Sequence, residues 1–100
     1  MKNVGIELIT DERNKQIFKH GFTAEHHYAH PEWYDRDQLQ IAAFLLLRPE
    51  IQQNDESRPL NWDVEWFQNL KQRSRKERII IAAALLAAEL DRQSIIDKTL

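Results

Sequence analysis

Ile79-Ile-Ile-Ala-Ala-Ala-Leu-Leu-Ala-Ala-Glu-Leu-Asp-Arg92 is a run of residues dominated by alanine and leucine, unbroken by glycine or proline. Such a run favours helix through low side-chain entropy loss. Ser74 and Glu77 precede it as a capping box, which predicts a helix from there to about Gln93. At about 100° per residue, Ile80, Ala84, Ala87 and Asp91 form one stripe. Ile79, Ile81, Leu85 and Leu86 cover its flanks, so the helix is apolar almost all round. A helix of that kind is either central in its domain or half-covered by a second copy. Few helices remain in 100 residues to surround it. A homodimer or higher homo-oligomer with part of this helix at the interface is therefore expected, and the small alanines would permit close backbone approach.

Working outward, Val4 to His20 carries a second helical pattern, closed by Gly21 in the place of a left-handed C-terminal glycine. Phe22 to Tyr34 is expected to be an ordered loop with one helical turn started by Thr23. Asp35 and Gln38 form another capping box, opening a helix whose inward face is Leu39, Ala42, Ala43 and Leu46 and which Pro49 stops. Glu50 to Pro59 predicts a polar, mobile loop. Asn61 to Phe67 predicts a short helix with Trp62 and Trp66 one turn apart. No segment sustains two-residue alternation, so the expected fold is all-α: one domain, a compact bundle of three to four helices.

Composition narrows the function classes. Hydrophobic residues are 42% and charged residues 30%, with a net charge of −2. This is a globular balance that recommends neither a nucleic-acid nor a membrane partner. The absence of cysteine excludes a disulfide scaffold and thiol catalysis. The N-terminus has no signal-peptide core, and the longest apolar runs fall short of the ~18 residues of a membrane span. A cytoplasmic protein is expected.

Polar residues in apolar positions mark the candidate site. Ile6, Ile9, Arg13, Gln16, Ile17 and His20 share a sector of about 100° on the first helix. Arg13, Gln16 and His20 interrupt it, as Asp91 interrupts the last helix. Buried charges must be paired or face a ligand. Arg13 and Asp91 therefore form either an interhelical salt bridge or, with Gln16 and Arg92, a recess for an anionic or hydrogen-bonding ligand. His20, at a helix end, is read as incidental.

Three further groups carry weaker signals. His26 and His30 are spaced to share a metal if that segment is helical, with Glu25 or Glu89 as a third ligand, but no sharp metal motif is present and no metal or cofactor is assigned. Solvated, core or acid–base histidines are the alternatives. Lys71-Gln-Arg-Ser-Arg-Lys-Glu-Arg78 is a solvated connector or a phosphate contact at a helix start, where Arg75 and Lys76 oppose the helix dipole. Trp33, Trp62, Trp66 and Phe67 are core cover or a stacking wall. A glycine-rich phosphate loop, a serine elbow and the paired Glu-x-x-Glu helices of all-α pyrophosphohydrolases are absent from the sequence.

Glu12-Arg13, Gln16-Ile17, Gly21-Phe-Thr23, Glu25-His26, Trp62-Asp63 and Ala83-Ala-Leu-Leu-Ala-Ala-Glu-Leu-Asp-Arg92 together resemble a family of small proteins carried by phages, prophages and mobile elements of gut bacteria. The resemblance spans most of the chain outside residues 50–60. His27 stands where that family has aspartate, and Ala83 where glycine is common. By position, the resemblance marks Glu12, Arg13, Gln16, Glu25, His26, Glu89, Asp91 and Arg92 as the polar family residues. It brings no activity with it.

The expected function is binding rather than turnover: capture of a small polar, nucleotide-derived ligand. Arg13 and Arg92 would meet phosphate, Gln16 and Asp91 would read ribose or base edges, and Trp62 or His26 would stack. The mobile-element setting implied by the resemblance adds sequestration of a host defence signal. The alternatives are a hydrolase using His26 or His30 with Glu25 or Glu89, and a protein-binding inhibitor.

Overall fold

The computed structural model describes residues 3–21, 23–30, 38–49 and 62–99. Among them are five helices and no strand: α1 (Val4–His20), α2 (Ala24–Ala29), α3 (Gln38–Leu47), α4 (Val64–Lys71) and α5 (Arg75–Thr99). The fold is all-α. The expected single turn after Thr23 is a separate short helix, which raises the count above three to four. Its start is capped by Thr23 Oγ1, which accepts from the His26 N–H at 3.1 Å. Asp35, Trp33 and the loop at 50–60 lie outside the described residues.

Local chemistry sets each boundary. Gly21 closes α1 at φ 71°, and its N–H donates to Ile17 and Gln16 carbonyls. Only glycine reaches that left-handed region without strain. The fourth helix begins at Val64 rather than Asn61, because Asp63 accepts from the Trp66 N–H at 2.7 Å and so takes the capping position. Ser74 caps α5 through the Glu77 N–H at 3.1 Å. That helix continues to Thr99, past the Gln93 expected from its apolar pattern.

The core forms where α3, α4 and α5 meet. Leu39, Ala42, Ala43 and Leu46 of α3, the expected inward face, pack with Phe67 and Leu70 of α4 and with Ile81, Ala82, Leu85 and Ala88 of α5. Trp62 joins them, its ring edge-on to Phe67 with centroids 5.9 Å apart. Arg78 ties the layers together by donating to the Leu46 carbonyl at 2.8 Å, where α3 ends and cations are favoured.

Two sequence expectations shift. On α5 the buried stripe runs through Ile81, Ala84, Leu85 and Ala88, while Ile80 and Ala87 are half-buried and Asp91 is exposed. The stripe lies one residue further along because α1, α2 and α3 all pack on this helix, and their combined footprint differs from the most apolar line. On α1, Ile6 is exposed, so burial is confined to Arg13 and Gln16 with half-buried neighbours. Among the described residues no helix is long and apolar enough to cross a membrane.

Candidate functional site

Arg13 and Asp91 meet across α1 and α5. The Arg13 guanidinium donates from Nε at 3.2 Å and from Nη2 at 3.1 Å, both to Asp91 Oδ2. Arg13 is buried whereas Asp91 is half-exposed, so water shares the carboxylate and the pair is worth less than a dry one. Asp91→Ala is expected to cost about 1–2 kcal/mol, because Arg13 keeps its charge in a buried place. Adding Arg13→Met should recover part of that loss in thermal melts of the three variants.

Arg92 and Glu89 form a second pair within α5. Arg92 Nε and Nη2 each donate to one Glu89 oxygen at 2.9 Å, the parallel fork that suits guanidinium and carboxylate. Gln93 Nε2 donates to Glu89 Oε2 at 2.9 Å. With Glu89 buried, the fork keeps a carboxylate in the interior tolerable.

Gln16 is different. It is 4% exposed, and its Oε1 is buried with no hydrogen-bond donor among the described residues. A buried amide oxygen left without a donor costs about 1–3 kcal/mol, so this one stands out among the buried side-chain polar atoms of the described residues. Gln16 lines a recess of about 110 Å³ between α1, α4 and α5. Its apolar walls are Trp66, Leu70, Ile81 and Leu85, and its polar margin is Glu12, Lys15, His20 and Arg73. Arg73 is held to Glu77 at 3.0 Å.

The sequence-predicted residues therefore separate. Glu12 and Gln16 reach the recess, and so does His20, against the expectation from its place at a helix end. Arg13 with Asp91, and Arg92 with Glu89, are occupied by each other. Trp62 is in the core, and it is Trp66, one turn on, that faces the recess. Glu25 is exposed and His26 half-buried on α2, the His26 ring 4.5 Å from that of His30. Lys15 carries no sequence signal as a recess residue. Trp66, offered as core cover or stacking wall, and Arg73, within the run offered as connector or phosphate contact, both reach the recess but are not linked to Gln16 by sequence. Trp66 had a signal, since a tryptophan pair one turn apart on a short helix need not bury both rings. Among the described residues no three His, Asp or Glu side chains converge as metal ligands would.

The chain matches no protein-family model, no curated protein and no solved structure.

Proposed function

We propose that this chain is a small-molecule binding protein, and that its ligand places a flat, amino-bearing head in the recess beside Gln16. The carrying observation is the buried Gln16 oxygen, without a donor among the described residues. A ligand N–H would supply the missing partner after a small turn of the amide about its soft terminal torsion. The recess volume of about 110 Å³ is well below the roughly 300 Å³ that encloses a drug-sized ligand. Only a ring-sized head enters and the rest of the molecule stays outside.

Trp66 offers a ring for stacking, and Lys15 and Arg73 place positive charge at the margin. Acceptor, aromatic wall and cationic rim match a nucleobase with an exocyclic amine that carries a phosphate. The phosphate contact thus moves from Arg13 and Arg92, whose side chains are largely shut off from solvent in their ion pairs, to Lys15 and Arg73. These two are exposed at the margin, Arg73 sharing its guanidinium with Glu77 in a solvated pair. The resemblance to phage and mobile-element proteins adds a nucleotide defence signal of a bacterial host as the ligand to try first.

Calorimetry and thermal shift with adenosine, cytidine, uridine, their monophosphates and cyclic oligonucleotides test it. Amino-bearing bases should bind and uridine should not, with phosphate adding a salt-sensitive increment. Gln16→Leu should abolish the response while raising the stability of the free protein by about 1 kcal/mol, since it removes the orphan oxygen. Silence across the panel, or a Gln16→Leu variant that is less stable than the parent, overturns the proposal.

A further inference from the structure

One face of α5 is left uncovered by the other described residues, and it is patterned. Ile79, Ala83, Leu86 and Leu90 follow one another at intervals of four, three and four residues. At about 100° per residue they fall within a sector of about 60°, opposite the buried line of Ile81, Leu85 and Ala88. Ile79 is 43% exposed, Leu86 41% and Leu90 67%, with Ala83 half-buried between them. Spacing of this kind makes the seam by which two helices interlock side chain into gap.

The seam is complementary to itself. Turned end for end on a second copy, it sets Ile79 against the partner's Leu90 and Ala83 against the partner's Leu86. The small residue then meets the large one twice, as a two-fold interface requires. A groove of about 500 Å³ lies beside the seam, lined by Leu8 and Ile9 of α1 and by Ile79 and Ile80 of α5. The most exposed seam residue, Leu90, is the one this register brings to Ile79 at the edge of that groove. A four-residue seam alone is small against the roughly 1,200 Å² of a stable interface. The groove extends the contact onto α1.

Charge selects the orientation. Arg75 and Lys76 are exposed at the start of α5 and border the groove. A parallel pair would gather both sets of cations at one end. The antiparallel pair separates them by most of the helix and brings each beside the C-terminal half of the other α5, where the helix dipole favours positive charge.

We infer that this chain forms a homodimer through antiparallel packing of α5 on α5, centred between Ala83 and Leu86. The inference does not depend on what occupies the recess. Sedimentation of the full chain over a range of concentrations should show conversion from 11.9 kDa to twice that mass. Ile79→Lys or Leu90→Lys should each leave a monomer with unchanged helical circular dichroism, because both side chains point outward in the monomer. Combining Ile79→Lys with Leu90→Glu should restore the dimer, since the antiparallel register then pairs lysine with glutamate at both ends. A parent that stays monomeric at all concentrations, a dimer indifferent to Leu90→Lys, or a double variant that remains monomeric each overturns the inference. If the lysine variants fail to fold, Leu90→Ser and Ile79→Ser provide the same comparison with a weakened rather than abolished dimer.

Discussion

Replacing Phe67 with alanine is expected to remove about 3–5 kcal/mol of stability. Phe67 is fully buried and sits where α4 meets the α3–α5 core, so the vacated space is bounded by helices that cannot all close on it. A domain of this size has about 5–15 kcal/mol in total. At about 4–8 °C per kcal/mol, the melting temperature should fall by about 12 °C or more. Trp62 lies edge-on to Phe67, so denaturant unfolding followed by tryptophan fluorescence reports on the same locus. Phe67→Leu should cost less than half as much, because it retains most of the volume. A loss under about 1 kcal/mol for Phe67→Ala would show that α4 is not anchored in this way.

Arg92→Leu is the second large effect. It removes both donors of the fork and leaves the Glu89 carboxylate in the interior with the Gln93 amide. Breaking a buried pair from one side costs about 3–5 kcal/mol, and the residual amide bond places this case at the lower end. Glu89→Leu combined with Arg92→Leu should recover most of the loss, since two apolar residues need no partners. Urea unfolding of the two single variants and the double variant closes a cycle that gives the coupling directly. Were Arg92 instead held for a ligand's phosphate, Arg92→Leu would lower affinity and leave stability nearly unchanged.

The helices were legible because their ends are local chemistry. Thr23, Ser74 and Gly21 act within a few residues of themselves, and the inward face of α3 follows from its own spacing. The buried line of α5 was not legible to the same accuracy. A helix apolar on nearly every side contains several admissible stripes, and the choice among them is made by α1, α2 and α3, which the pattern of α5 does not describe. At the candidate site, the wheel argument correctly marked Gln16 and Arg13 as polar groups in a buried position. It could not distinguish them, because whether a buried group has a partner depends on what stands opposite. Arg13 has Asp91, 78 positions away, and the Gln16 oxygen has no donor among the described residues. The exchange of Trp62 for Trp66 has the same origin. Two rings one turn apart differ in surroundings only after α4 is seated against α3 at the shared core.

The placement of α5 also bears on how the chain is made. Both α1 and α2 find a packing surface on α5, which is translated after every other described helix. At a synthesis rate of roughly 5–20 residues per second, α1 emerges seconds before the surface that shelters it exists. A helix of 17 residues with no alanine among them draws most of its stability from packing rather than from propensity. The early part of the nascent chain therefore leaves the ribosome without a stable tertiary structure, open to proteases and chaperones. Assembly waits for the spine on which the other helices close.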